Sequence, residues 1–312
     1  MLNLTKMSHP SRQRIDKMVT TPTIKLSKIP FDCDSYRRNG VSLSFLDSGG
    51  EKPPLHFYHA NGFPISTYLP LLTSLTEGYR VIGLGLRGQD AQSAGNTSWR
   101  RIAQDLICFL DDKHPGPVLG VGHSVGGVTT MMAAVKRPDL FSRIILIDPV
   151  IHSYRFILGL AIKRLLRRKK ISFIAQRARA RKYQWADRNE LYEYCKTKSL
   201  FSRFDDTFLR SYVTYGAKPA NDGSIELVCP PEAEARIFEN YPLDVWSWIQ
   251  RLKVPVLIIR GEYSDVLTQD CVDRFCSKAV NAERCLVPGA GHLIPMEKPK
   301  ELLAVIKAFS GQ

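Results

Sequence analysis

Short apolar runs alternate with longer amphipathic segments along most of the chain. Seven runs have the length and composition of strands. They cover residues 41–47, 55–59, 80–84, 117–122, 143–148, 254–260 and 283–287. Four longer segments have helical spacing, at 99–113, 124–137, 268–279 and 298–309. Because strand and helix patterns alternate, we expect an α/β fold with a mostly parallel, doubly wound sheet covered by helices.

This alternation stops between about Pro149 and Trp248, where no run has the pattern of a buried strand. We therefore predict a core formed by residues 31–148 and 249–312, interrupted by a helical insertion at 149–248. Residues 1–30 are predicted to form an N-terminal tail or an edge segment, with a strand near residues 23–29.

The segment Gly122–Gly126 matches the pattern G-x-S-x-G and lies between a strand-like run and a helical one. A strand, a sharp turn and a helix in this order hold the serine hydroxyl above the edge of a sheet, as in a nucleophile elbow. Small residues suit this turn because its strained backbone leaves no room for Cβ atoms. Ser124 is therefore the candidate nucleophile.

A serine hydroxyl needs a base to take its proton and an acid to orient that base. Of the seven histidines, only His292 lies in the second half of the chain, in a loop of small residues. We predict His292 as the base and His123, beside the nucleophile, as structural. Two aspartates, Asp148 and Asp265, follow apolar strands. We predict Asp265 as the acid because it gives the chain order Ser, Asp, His, and we interpret Asp148 as the end of its strand.

With these motifs the chain resembles the α/β-hydrolase superfamily over about residues 40–310. The segment His59–Pro64 agrees, since relatives resembling this chain usually show His-Gly-x-Pro after the corresponding strand. The resemblance implies an oxyanion hole made by the backbone N–H groups of Phe63 and Val125. This loop departs from the family pattern, since Asn61 stands in place of the histidine. The segment Gly85–Asp90 departs as well, for which we expect altered specificity with retained activity.

The resemblance also identifies the insertion at 149–248 as the family's helical cap, which follows the sixth strand of the sheet. Caps of this kind exclude water and often decide the substrate. Asn61, Trp246 and Trp248 are candidate substrate contacts, and Tyr241 is a further aromatic residue in the same region. Packing against the core is the more common role of aromatic side chains at such spacing.

The net charge of +14 is concentrated in the cap. Between Pro149 and Ala186 there is no acidic residue, but there are eleven basic ones: Arg155, Lys163, Arg164, Arg167, Arg168, Lys169, Lys170, Arg177, Arg179, Arg181 and Lys182. One interpretation is a solvated helix whose apolar stripe packs on the core. Others are peripheral contact of residues 155–182 with an anionic membrane and attraction of an anionic substrate. No nucleic-acid partner is expected, because no recognition module accompanies the charge.

Seven scattered cysteines form no disulfide or metal-binding pattern, which is typical of a reducing compartment. No apolar run is long enough to span a bilayer, and residues 1–29 lack the apolar centre of a secretory signal. We therefore expect a cytoplasmic protein, with peripheral membrane attachment as the alternative. The motifs imply no cofactor and no metal.

Together these features predict a serine hydrolase that cleaves a carboxylic ester or thioester of a hydrophobic small-molecule acyl substrate through an acyl-enzyme. Serine at the elbow disfavours epoxide opening and dehalogenation, for which relatives use an aspartate there. Carbon–carbon bond hydrolysis, cofactor-free perhydrolysis and acyl transfer use the same triad and stay open. A ligand receptor or a membrane-binding protein with residual hydrolase activity is the alternative from another class.

Overall fold

The computed structural model describes residues 30–88, 96–113, 116–166 and 173–311. An eight-stranded sheet lies at its centre, and a three-stranded sheet lies in the insertion. The strands are β1 (Asp32–Arg38), β2 (Val41–Asp47), β3 (Pro54–Tyr58), β4 (Arg80–Leu84), β5 (Val118–His123), β6 (Phe141–Ile147), β7 (Gln184–Trp185), β8 (Ala217–Pro219), β9 (Ile225–Leu227), β10 (Val256–Gly261) and β11 (Ala282–Val287).

The large sheet has the strand order β1–β2–β4–β3–β5–β6–β10–β11. The six strands from β4 to β11 in this order run parallel, whereas β2 and β1 extend the sheet with antiparallel pairing. This arrangement confirms the predicted mostly parallel sheet. Each of the seven predicted strands matches an observed strand to within two residues at either end.

Helices cover both faces of the sheet. The α-helices of the described residues are α1 (Leu69–Leu75), α2 (Trp99–Lys113), α3 (Val125–Lys136), α4 (Tyr154–Leu165), α5 (Phe173–Arg179), α6 (Arg188–Lys196), α7 (Asp206–Tyr215), α8 (Pro231–Glu239), α9 (Val245–Gln250), α10 (Gln269–Lys278), α11 (Ile294–Glu297) and α12 (Pro299–Ser310). The four predicted helices correspond to α2, α3, α10 and α12 to within one residue at either end.

The side chains of β6 show how the sheet divides the core. Ile144 and Leu146 belong to the apolar cluster beneath α2, α3 and α10, and Ile145 and Ile147 belong to the cluster on the opposite face. Successive side chains of a strand point to opposite faces, so a continuous apolar run suits a strand that is buried on both. The carboxyl ends of the parallel strands, where sites form in open α/β sheets, meet at one edge.

The hairpin of β1 and β2 was not predicted. Its two-residue turn, Asn39-Gly40, has positive φ at both positions, 50° and 74°, as a type I′ turn requires. In β1 only Tyr36 is buried, so the strand shows no alternation of apolar and polar residues. The Asn-Gly pair was the available signal.

The insertion after β6 contains α4 to α8 and also the small sheet β7–β9–β8. The insertion at 149–248, predicted as helical, therefore contains a small sheet as well as helices, and we use the name cap for this insertion. The three strands have two or three residues each, which is too short for a periodic pattern to be recognised. The predicted boundary at 248 cuts through α9, whose Val245 and Ile249 are buried in the core.

The predicted tail and the strand near 23–29 lie outside the described residues. Within the described ranges, no helix combines the length and apolar character needed to cross a membrane.

Candidate active site

Ser124 lies in a tight turn between β5 and α3. Its backbone angles, φ 58° and ψ −118°, are strained for a residue with a side chain. A Cβ on Gly126 would collide with the carbonyl oxygen of Tyr58, so this turn closes against β3 only with glycine there. The Ser124 side chain is almost fully buried at the carboxyl edge of the sheet. This geometry agrees with the predicted nucleophile elbow.

His292 reaches the serine from the loop between β11 and α11. Its Nε2 atom lies 3.0 Å from Ser124 Oγ, and its Nδ1 atom lies 2.6 Å from Asp148 Oδ2. An Nδ1–H that donates to the carboxylate leaves Nε2 free to accept the serine proton. The two predicted residues Ser124 and His292 are thus brought together.

The aspartate that meets His292 is Asp148 and not Asp265, so the prediction of Asp265 as the acid was wrong. The buried Asp148 carboxylate also accepts hydrogen bonds from Ser264 Oγ at 2.5 Å and from the Gly261 N–H at 3.1 Å. Since β6 and β10 are neighbouring parallel strands, the loops that follow them reach the same place. Ser264 takes the inward position of the second loop, and Asp265 beside it is exposed.

A buried polar relay joins the three loops around the serine. The Tyr68 hydroxyl donates to His123 Nδ1 at 2.7 Å, and His123 Nε2–H donates to the His292 carbonyl at 3.0 Å. The Ala60 N–H donates to the Tyr68 oxygen at 3.1 Å. Burial lowers the pKa of His123 well below its usual range, and the nearby His292 acts in the same direction.

This relay gives His123 the structural position that the sequence suggested. Tyr68 was missed, because it ends a short 3-10 helix, Ile65–Tyr68, and belongs to no motif. Its hydroxyl links the predicted oxyanion loop to the elbow and the histidine loop.

The predicted oxyanion donors lie on two elements that meet the serine turn. Val125 is the first residue of α3, where a backbone N–H has no acceptor within its own helix. The turn Ala60–Phe63 has Gly62 at φ 81°, as a type II turn requires. The Phe63 N–H donates to the Ala60 carbonyl at 3.3 Å, which is a long hydrogen bond.

Side chains of the cap fix this turn from above. Asn61 Nδ2 donates to the Glu234 carbonyl on α8 at 2.9 Å. The Glu234 carboxylate lies 2.9 Å from the position that a Cβ on Gly62 would take, and it pairs with Arg181 at 3.0 Å. Burial raises the pKa of Glu234, and the Arg181 guanidinium opposes that shift. Asn61, predicted as a substrate contact, is thus engaged by the cap through its amide nitrogen.

His59 joins the oxyanion loop to the segment after β4. Its Nδ1–H donates to the Ala60 carbonyl at 2.8 Å, and its Nε2 accepts from the Leu86 N–H at 2.9 Å. Burial lowers the pKa of His59 to about 4, so the ring is neutral at pH 7. His59 therefore joins the oxyanion loop to the segment that contains Leu86. Both segments depart from the family pattern.

The two predicted tryptophans occupy different surroundings. The Trp246 indole N–H donates to the His152 carbonyl at 3.0 Å. Burial lowers the pKa of His152 to about 4, and nearby His292 contributes to that shift. Trp248 instead donates to Asp244, and Arg251 lies over its ring. Trp246 therefore borders the site through His152, whereas Trp248 packs away from it.

The His292 imidazole, oriented by the Asp148 carboxylate, can take the proton of the Ser124 hydroxyl as the serine oxygen attacks an electrophilic carbon. The site is largely buried, so the interactions within it are weakly screened by water.

Known proteins that are similar to this chain are hydrolases. The model of the alpha/beta hydrolase family matches residues 56–305. The chain is 22% identical over 264 residues to 2-(acetamidomethylene)succinate hydrolase of Mesorhizobium japonicum, covering 83% of this chain and 88% of that protein. It is 24% identical over 290 residues to 3-oxoadipate enol-lactonase 2 of Acinetobacter baylyi, covering 89% and 97%.

A crystal structure of E-2-(acetamidomethylene)succinate hydrolase is similar to this one, with a TM-score of 0.77 and 20% identity. The match covers 90% of this chain and 100% of that chain. Since the family model spans most of the sequence, the chain belongs to the alpha/beta hydrolase family.

Proposed function

We propose that this protein is a serine hydrolase that cleaves a carboxylic ester or thioester of a hydrophobic acyl substrate through a Ser124–His292–Asp148 triad. The observation that supports it most is the pair of short contacts of His292, to Ser124 Oγ and to Asp148 Oδ2. One imidazole so placed can take a proton on one side while a carboxylate holds its tautomer on the other.

In the proposed first step, Ser124 Oγ attacks the substrate carbonyl carbon and His292 Nε2 takes the hydroxyl proton. Asp148 stabilises the resulting imidazolium through the Nδ1–H hydrogen bond. The carbonyl π electrons move to oxygen and give a tetrahedral oxyanion. On its collapse the bond to the alcohol or thiol breaks, and His292 returns its proton to that leaving group.

Hydrolysis of the acyl-enzyme follows the same route. His292 takes a proton from water as the water oxygen attacks the acyl carbon, and Ser124 leaves with that proton. The products are a free acid and a regenerated serine, so the cycle needs no redox partner.

The N–H groups of Val125 and Phe63 are the proposed oxyanion donors. The Val125 N–H starts α3, whose dipole favours negative charge at that end. The Phe63 N–H makes only a long bond to the Ala60 carbonyl, which a charged oxygen would replace because charge-assisted hydrogen bonds are stronger.

Aromatic side chains above the oxyanion turn support an apolar acyl group. The Phe63 ring lies 5.4 Å from the Tyr212 ring and 6.3 Å from the Phe204 ring, and Phe201 packs against both of the latter. Three of these four rings come from the cap. The similarity to an enol-lactonase also supports an ester substrate, since a lactone is a cyclic ester.

Turnover of p-nitrophenyl esters with acyl chains of increasing length tests this proposal. The wild type should turn over many times, and Ser124→Ala should lose activity by about a millionfold. His292→Ala should fall by a similar factor, since the two residues act as a unit. The acyl series ranks chain lengths at the same time.

Unchanged turnover in folded Ser124→Ala would contradict the proposal. A folded wild type that hydrolyses no ester or thioester would contradict ester specificity and direct attention to carbon–carbon bond hydrolysis. Tight binding of an acyl ligand with negligible turnover would identify a receptor instead.

A further inference from the structure

Helix α4 exposes an apolar stripe on the surface of the cap. Leu158, Ile162 and Leu165 follow one another at spacings of four and three residues, so they lie along one side of the helix. Leu158 is 63% exposed and Leu165 is 82% exposed. We call Leu158, Ile162 and Leu165 the α4 stripe.

Another side of α4 packs against the hydrophobic core. Ile157 is buried, and Leu160 packs beside it in the core cluster. Arg164 points the same way, donating to the carbonyl groups of Glu239 and Tyr241. The inward side thus anchors α4, and the three side chains of the α4 stripe are about half exposed or more among the described residues.

Positive charge accompanies the stripe. Arg155 and Lys163 on α4 are exposed, and neither forms an ion pair with an acidic side chain in the described part of the chain. Helix α5 begins with two more exposed apolar side chains, Phe173 and Ile174. Arg177 lies over the Phe173 ring.

The first turn of α4 adjoins the candidate active site. The Phe156 ring packs against the His152 ring, with 4.1 Å between ring centres and 42° between ring planes, and His152 lies near enough to His292 for their charges to interact. Helix α4 therefore begins near the rim of the site, and Phe156 and the α4 stripe lie on different sides of it.

We propose that the α4 stripe docks on a membrane surface containing anionic lipid, with the helix axis in the plane of the interface. Exposed leucine and isoleucine side chains enter the boundary between headgroups and acyl chains, and Arg155 and Lys163 meet the lipid charges. Charge complementarity selects this occupant, because Arg155 and Lys163 form no ion pair in the described part of the chain and would repel a second copy of the same surface. The inference does not depend on the proposed catalytic activity.

Flotation of the full chain with lipid vesicles tests this docking. Vesicles of phosphatidylcholine with phosphatidylserine should bind the wild type, and phosphatidylcholine alone should bind it much less. Added salt should weaken the binding. Ser124→Ala should bind as the wild type does, which separates this test from that of catalysis.

Two double variants separate the apolar and the charged contributions. Leu158→Ser with Leu165→Ser should reduce partitioning by about tenfold per leucine. Leu200→Ser with Leu286→Ser is the matched control, since both leucines are half exposed outside α4, and it should bind normally.

Arg155→Gln with Lys163→Gln should reduce binding to the anionic vesicles by about fivefold per charge. Lys253→Gln with Lys300→Gln is the control for charge, since both lysines are exposed outside the cap. A circular dichroism spectrum and a urea unfolding midpoint that match the wild type show that each variant is folded.

Failure of the wild type to float with anionic vesicles would overturn the proposal, as would equal losses in the leucine variants and their controls. Self-association without lipid that is lost in Leu158→Ser with Leu165→Ser would identify a second copy as the occupant. Heparin binding that requires Arg155 and Lys163, without vesicle binding, would identify another polyanion. Either of these results would also overturn it.

Discussion

The carboxyl edge of the sheet and the cap above it differ in how their polar groups are satisfied. Around Ser124, the Asp148 carboxylate accepts three hydrogen bonds and both nitrogens of His123 and His292 have partners. In the described part of the cap, buried polar atoms lack hydrogen-bond partners in Arg181, Trp185, Ser211 and Glu234, and so does Asn61 Oδ1 on the oxyanion turn that the cap contacts.

Arg181 and Glu234 lie 3.0 Å apart, yet no aligned hydrogen bond joins them. An unsatisfied polar group is costly in an apolar surrounding. The difference indicates that several hydrogen bonds hold the polar groups around Ser124, whereas the cap holds the oxyanion turn by a few electrostatic contacts. Variants that remove one contact in each region sharpen this comparison.

The largest effect on stability is expected for Glu234→Gln. This change leaves Arg181 in a largely buried position without its counter-charge, which should lower the free energy of unfolding by about 3 kcal/mol. Glu193→Gln is the matched control, because its pair with Lys196 is exposed and should contribute less than about 1 kcal/mol. Urea unfolding of both variants measures the difference, and equal small losses would show that the cap pair does not stabilise the fold.

The next effect concerns pH. The pKa of His152 is about 4 in the folded protein and about 6.5 in an unfolded chain. The unfolded state therefore binds the additional proton as the pH falls below about 6.5, and folding becomes less stable. Between pH 7 and pH 5 this histidine should cost about 2 kcal/mol.

His152→Phe should remove that part of the pH dependence and keep the aromatic contact with Phe156. Urea unfolding at pH 7 and pH 5 measures it. The same loss of stability in the variant and the wild type would mean that His152 is not held neutral.

The smallest effect is expected for Tyr68→Phe. It removes the hydroxyl between Ala60 and His123 while keeping the ring, so the His292 loop is held less firmly. We expect kcat to fall by about tenfold with little change in KM, corresponding to about 1.4 kcal/mol.

Tyr79→Phe is the control, because the Tyr79 hydroxyl contacts Ser310 on α12 instead of the relay. An unchanged kcat in Tyr68→Phe, or an equal fall in Tyr79→Phe, would show that the hydrogen bonds of the relay do not contribute to kcat.

Much of the core was predictable because its strands are apolar throughout and its helices have regular spacing. The meeting of Ser124 and His292 was predicted because each lies in a loop with a local signature. The aspartate that contacts His292 was not predicted, since Asp148 and Asp265 follow adjacent strands and sequence alone does not say which loop turns its carboxylate inward. That choice depends on Ser264, whose hydroxyl donates to Asp148.

The cap was harder to predict for a different reason. Its strands are too short to show a period, and the contact of Glu234 with the oxyanion turn joins residues 173 positions apart in sequence. The apolar run of α4 was visible, but which side faces the core was not. The structure places Ile157 inward and Leu158 outward.

The most direct test of the triad is kcat for Asp148→Asn and Asp265→Asn on the best p-nitrophenyl ester. Both changes remove one carboxylate and keep its shape. We expect Asp148→Asn to lose about 10⁴-fold in kcat, because the amide no longer selects the reactive tautomer of His292, and Asp265→Asn to stay near the wild type. A large loss in Asp265→Asn with an active Asp148→Asn would contradict the account.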